Sequence, residues 1–148
     1  ENIQNYIDSP NTTCISLIKG AKFDSNGPTF YSETIKNTLG VQNVAVLMGA
    51  NIATEVAKDQ FVESTLACKN IEIAKSLSEI FITPKFQIQL CQDVSTAELC
   101  GALKNVIAMG AGFCDGLGYG SSSKAALIRQ GLNEVALLCK LVNPTFQI

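Results

Sequence analysis

The rhythm of this sequence changes near Asp93. Before it, short β-rich runs alternate with helical stretches. The runs 14–18, 44–48 and 86–91 are apolar or alternating, and they close at Lys19-Gly20, Gly49-Ala50-Asn51 and Gln92-Asp93. Helical patterns fill the gaps at about 30–39, 51–64 and 70–81, the first ended by Gly40 and the last stopped before Pro84. Near-continuous apolar strands suit a sheet covered on both faces, and strand–helix–strand alternation predicts parallel strands with right-handed crossovers. From Ser95 to Pro144 no strand signal occurs. Ser95-Thr96-Ala97-Glu98 reads as a capping box opening a helix over about 96–115. A glycine-rich turn, 116–120, then leads to Ser121-Ser122-Ser123, read as the cap of a helix over about 123–142 that Asn143-Pro144 stops. The expected architecture is the tail of an α/β sheet domain over residues 1–94 and the start of an all-α domain over 95–148. Three strands make a small sheet and two helices cannot bury themselves alone, so both halves read as parts of larger units.

Composition narrows the chemistry. The 148 residues are 47% hydrophobic and 16% charged, which excludes a disordered polyelectrolyte. A formal net charge of −2 provides no bulk attraction for nucleic acid or anionic lipid. Histidine is absent, which removes His-based triads, His-ligated zinc and an imidazole general base. No metal site is expected. The six cysteines contain no CxxC pair and sit in apolar stretches, so they read as buried free thiols of a reducing compartment. Cys100 and Cys114 fall on one predicted helix, roughly 21 Å apart, too far to bond to each other. The opening Glu1-Asn2-Ile3-Gln4-Asn5 lacks the apolar core of a signal peptide, no membrane span is expected, and the missing initiator Met suggests a processed chain or a fragment.

Lys104 is the residue that most invites a chemical reading. Between Leu99 and Gly112 only Lys104 and Asn105 are polar. A helix apolar all round is a buried helix, and this one is too short to cross a bilayer. Desolvation lowers the pKa of a lysine there, toward the range of a working proton donor and acceptor. The alternative is a lysine that snorkels to the surface or meets a distant acid. Lys19 ends the first predicted strand and Asn51 follows the second. Ligands of open α/β sheets bind beyond the carboxyl ends of the strands, although a strand-terminal lysine can simply be solvated. Asn51 also reads as a helix N-cap, with the amides of Asn51, Ile52 and Ala53 forming a helix N-terminus. Gly110 to Gly120 does not read as a nucleotide loop: the spacing is wrong and it follows a helix, so helix packing and a turn explain it better.

Taken together these segments resemble a known family. Ser16-Leu17-Ile18-Lys19-Gly20, Leu47-Met48-Gly49-Ala50-Asn51-Ile52-Ala53, Glu98-Leu99-Cys100-Gly101-Ala102-Leu103-Lys104-Asn105, Gly110-Ala111-Gly112-Phe113-Cys114-Asp115-Gly116-Leu117-Gly118 and Lys124-Ala125-Ala126 are similar, in the same order, to NAD-dependent glycerol-3-phosphate dehydrogenase. The resemblance runs from about residue 14 to 142. It implies the second half of a Rossmann-type parallel sheet followed by the start of an all-α substrate domain, in a cytoplasmic homodimer. It implies NAD as cofactor and reversible reduction of dihydroxyacetone phosphate to sn-glycerol 3-phosphate. By motif position Lys104 resembles the general acid/base, Lys19 a second active-site lysine touching substrate and cofactor, Asn51 and Asn105 substrate neighbours, and Ala53 a cofactor contact. In two respects the chain departs from the family pattern. Ser121-Ser122-Ser123 stands where relatives often carry Asp-Asn-Thr, and the family's pyrophosphate loop and later phosphate-binding residues are expected outside these 148 residues. The segment alone is therefore expected to be inactive. The competing readings are another 3-hydroxyacid-type dehydrogenase, and a truncated or non-catalytic ligand-binding relative.

Overall fold

The computed structural model describes residues 3, 7, 11–25 and 27–144. Apart from Ile3, the opening residues read above for a leader lie outside them. The chain begins with β1 (Thr13–Ser16), a hairpin of β2 (Lys22–Asp24) and β3 (Gly27–Thr29), and α1 (Tyr31–Leu39). There follow β4 (Asn43–Gly49), the single turn α2 (Ala53–Val56), β5 (Val62–Ala67), α3 (Ile71–Ser78) and β6 (Phe86–Cys91). Two long helices, α4 (Val94–Gly116) and α5 (Ser121–Val142), complete it.

Four strands form one sheet in the order β1-β4-β5-β6. Alternation along β4 sends side chains to both faces. Ala45 and Leu47 join Leu66, Cys68 and Ala74 of α3 in one buried cluster. Val46 and Met48 join Ala67 with Val94 and Ala97 of α4 in a second. Leu47 and Leu66 are at most 2% exposed, and each such side chain contributes about 1.5–3 kcal/mol through burial. The α/β sheet followed by a helical part is the architecture the sequence implied.

Strand direction differs from that expectation at one place. β1 runs parallel to β4 and β5 parallel to β6, but β4 and β5 are antiparallel, with Leu47 opposite Leu66. The helix expected over 51–64 is only α2, and β5 was not anticipated. A parallel return would have to carry the chain back along seven residues of β4, about 23 Å, whereas the four residues of α2 rise about 6 Å. Asp59, at φ 57, ends the turn and sends the chain straight back.

The caps also differ. Asp93, not Ser95, caps α4: its carboxylate accepts from the Thr96 N–H at 3.1 Å, the Thr96 hydroxyl at 2.6 Å and the Ser95 hydroxyl at 3.0 Å. It also accepts from Asn143 Nδ2 at 2.7 Å, tying the end of α5 to the start of α4. A carboxylate in the cap position takes more donors than a serine hydroxyl can, which decides the competition. Burial by itself would raise the Asp93 carboxyl, but these hydrogen bonds outweigh it and hold the group below its ordinary value. The cap position of α5 is Gly120, in extended backbone and without a side-chain bond, so the three serines lie inside the helix. α4 and α5 pack closely: a Cβ on Gly131 would lie 2.8 Å from Ile107, and one on Gly110 would lie 3.0 Å from Leu127.

Candidate active site

Two glycines set the position of Lys104. Gly101 lies against Met48, where a Cβ would come within 2.6 Å of Met48 Sδ. The close approach seats α4 on the end of β4. One turn further on, Lys104 Nζ reaches the carbonyl oxygen of Gly49 at 2.5 Å. Gly49 has φ 152, and a Cβ there would meet Glu63 O at 2.7 Å and Ser64 Cα at 2.8 Å. Only glycine lets β4 end in this form.

Lys19 approaches the same edge from the loop after β1. Its ammonium donates to Asn51 Oδ1 at 2.7 Å, across 32 residues of sequence. Both β1 and β4 end here, so the cluster occupies the carboxyl edge of the parallel pair, the usual ligand position in an open α/β sheet. Burial lowers the Lys104 ammonium below the ordinary lysine value, and the positive charge of Lys19 adds to the effect. The two cations therefore sit close enough to sense one another. An ammonium has three N–H groups. With one on the Gly49 carbonyl, Lys104 retains two for an incoming oxygen.

The structure thus brings together Lys19, Asn51 and Lys104. Asn105 and Ala53 adjoin the cluster in the chain, on α4 and at the start of α2, and both are exposed. Asn51 is not the helix cap expected of it. Ile52 holds that position without a side-chain bond, and the Asn51 side chain is turned to Lys19 instead. The four residues of α2 are too few to build a helix N-terminal site. Nor is α4 buried all round: Asn105, Val106, Ala108 and Met109 are exposed, while Leu99 and Gly101 are buried.

Three contributors escaped the sequence reading. The Gly49 carbonyl carries no side-chain signature. Gly101 stood out only as one member of the family-like run around Lys104. Glu98, assigned to a capping box, is fully buried and accepts from the Ser32 N–H at 3.1 Å and from the Ser32 hydroxyl, pinning α4 to α1. Burial raises the Glu98 carboxyl above its ordinary value despite these bonds. A carboxylate just before an apolar run was the available signal. A cavity of about 680 Å³ lies elsewhere, between Phe30, Ser32, Lys69, Asp93 and Asn143, and contains none of the three clustered residues. Among the described residues no group of three or more His, Cys, Asp or Glu could hold a metal ion, and no helix is long and apolar enough to cross a membrane.

Comparison with known proteins decides the family. Residues 1–74 match the N-terminus of NAD-dependent glycerol-3-phosphate dehydrogenase, and residues 93–147 match its C-terminus. The chain belongs to the NAD-dependent glycerol-3-phosphate dehydrogenase family. Among its relatives, the cytoplasmic NAD⁺ glycerol-3-phosphate dehydrogenase of Homo sapiens is 53% identical over 131 residues, 88% of this chain and 37% of that protein. The Rattus norvegicus protein of the same name is 52% identical over the same shares. The Dunaliella salina DsGPDH structure superposes with a TM-score of 0.88 at 40% identity, covering 98% of this chain and 25% of that one. Plasmodium falciparum glycerol-3-phosphate dehydrogenase superposes with a TM-score of 0.86 at 34% identity, covering 98% of this chain and 40% of that one. The chain therefore spans about a third of the length of the curated relatives it matches.

Proposed function

We propose that this chain carries the proton-transfer part of an NAD-dependent glycerol-3-phosphate dehydrogenase, which reversibly reduces dihydroxyacetone phosphate with NADH to sn-glycerol 3-phosphate. The carrying observation is the Lys104 ammonium on the Gly49 carbonyl, beside the Lys19–Asn51 pair at the carboxyl edge of β1 and β4. Lys104 serves as general acid in reduction, giving a proton to the carbonyl oxygen as it gains negative charge. In the reverse direction its amine accepts the hydroxyl proton. The lowered affinity of Lys104 for its proton, through burial and the Lys19 charge, suits that exchange.

Lys19 stabilises the same developing alkoxide from the neighbouring strand end, and Asn51 holds its ammonium in place. Asn105 flanks the substrate. The residues present fit an NAD nicotinamide at this edge, because two cations face a forming oxyanion and Ala53 is a small, exposed side chain next to the cluster. Ala53 and Lys19 are the groups that would touch it, and NAD when bound supplies the hydride chemistry. The two family matches leave a gap between residues 74 and 93, which supports a sheet domain over 1–94 and a helical domain from 95. Assembly as a homodimer and a cytoplasmic location complete the reading, the second supported by the names of the relatives.

The test is dihydroxyacetone-phosphate-dependent NADH oxidation by the complete gene product, wild type beside Lys104→Met. Loss of a general acid/base costs about 10²–10⁴-fold in rate, roughly 3–5 kcal/mol in barrier. A loss of that size with NADH binding intact supports the assignment. An active wild type with an unaffected variant removes Lys104 from the role, and NADH binding without turnover in the wild type turns the reading to a ligand-binding relative.

A further inference from the structure

Where α4 and α5 cross near their buried ends, two thiols are in contact. Cys100 Sγ and Cys139 Sγ lie 3.7 Å apart, across 39 residues of sequence. Cys139 is 1% exposed, in a cluster with Phe30 and Leu99 to which Cys100, Leu103 and Val135 add. Cys100 is half-buried and so the more exposed of the two. Both are free thiols.

We propose that Cys100 and Cys139 are a redox-responsive pair, closed by a hydroperoxide into a disulfide that staples α4 to α5 one helical turn before Lys104. The first step falls on the accessible sulfur: the Cys100 thiolate attacks a peroxide oxygen, the O–O bond breaks, and with hydrogen peroxide a sulfenic acid and hydroxide result. The Cys139 sulfur then attacks the Cys100 sulfur. The S–S bond forms, the S–O bond breaks, and the departing hydroxide takes the Cys139 proton as water. The two thiols lose two electrons and two protons, and the peroxide is reduced to two waters. The order follows from the surroundings. Burial, together with the neighbouring Cys100 and Asp93, pushes the Cys139 thiol up to about 12, so it enters second.

Geometry gives the bond a consequence. A disulfide needs about 2.05 Å between sulfurs, so closure from 3.7 Å draws the two side chains together by about 1.6 Å. Cys100 precedes Gly101, the residue seated on Met48, and stands four residues before Lys104. A cross-link at Cys100 therefore acts on the turn that seats α4 on Met48 and carries Lys104 to the Gly49 carbonyl. This consequence for turnover rests on the proposed role of Lys104, whereas formation of the bond does not.

The experiment treats the complete gene product with hydrogen peroxide, alkylates free thiols, and maps non-reduced tryptic peptides by mass spectrometry while following NADH oxidation. The expected product joins the peptide Phe86–Lys104 to Gln130–Lys140, with fragment ions placing the bond at Cys100 rather than Cys91. Activity falls several-fold in step with it, both reverse with dithiothreitol, and Cys139→Ala keeps its activity under the same treatment. Cys100 carried to sulfinic acid with Cys139 still alkylated as a free thiol overturns the pairing, and that readout needs no variant. A cross-link formed with turnover unchanged overturns the switch. A wild type that shows no turnover before peroxide is added counts against the functional reading instead, and the peptide map still decides the bond.

Discussion

The sheet and the helical hairpin are built from similar proportions of apolar residues but treat them in opposite ways. In β4, Ala45, Val46, Leu47 and Met48 are all at most 4% exposed, covered by α3 on one face and α4 on the other. In α5, Cys139 is the one buried side chain among the described residues, while Leu132, Leu137 and Leu141 are 58%, 63% and 79% exposed. Val106, Met109 and Phe113 of α4 are as open. A sheet strand has two faces and neighbours on both edges, so a few elements suffice to enclose it. A pair of helices shares one seam and leaves the rest of each cylinder uncovered. The candidate site lies where the two regions meet, because only the first two turns of α4 are packed against the sheet.

That contrast can be broken by experiment. In the complete protein Leu66→Ala is expected to cost about 2–5 kcal/mol, the usual range for a fully buried leucine, read as a shift in the urea midpoint. Leu137→Ala, at an open position, should stay within about 0.5 kcal/mol. Equal losses would show that the hairpin is covered as fully as the sheet.

Gly49→Ala probes the junction of the two regions. Its φ of 152 and the backbone of β5 leave no room for a Cβ, so a cost of about 1–3 kcal/mol is expected, with slowed turnover as the acceptor of Lys104 shifts. Unchanged stability and rate would mean that β4 ends differently in solution.

Asp93→Asn is expected to cost about 1 kcal/mol, because the amide nitrogen cannot accept the bonds that Thr96 and Asn143 now make to the second carboxylate oxygen. Its pH dependence has a definite sign. The folded carboxyl lies below its ordinary value, so the stabilisation is present above about pH 3.9 and is lost as pH falls through the folded value. The gap between wild type and variant should therefore close on acidification. A gap that widened in acid would contradict the hydrogen-bonded cap.

Much of this was legible beforehand, for local reasons. α1, α3, α4 and α5 lie within a few residues of their expected spans, since helix periodicity and stop signals such as Gly40 and Pro144 act over neighbouring residues. β5 was not legible. Val62-Glu63-Ser64-Thr65-Leu66-Ala67 has too weak an alternation to declare itself, and it becomes a strand by pairing on both edges with β4 and β6. Capping was half-legible: the right neighbourhood, but Asp93 in place of Ser95.

For the site, side-chain chemistry alone singled out Lys104, because a lone lysine in an apolar helix is visible in one dimension. Strand-end position marked Lys19 and Asn51 as well, and family resemblance joined Asn105 and Ala53 to them. Only the tertiary structure showed that Lys19 and Asn51 bond directly, that Lys104 rests on a backbone carbonyl, and that Glu98 serves as an internal tie to α1. Residue types and their spacing determine which groups can ionise, cap or pack. Which groups meet depends on how closely backbones approach, and here the absence of a Cβ at Gly49 and Gly101 decides it.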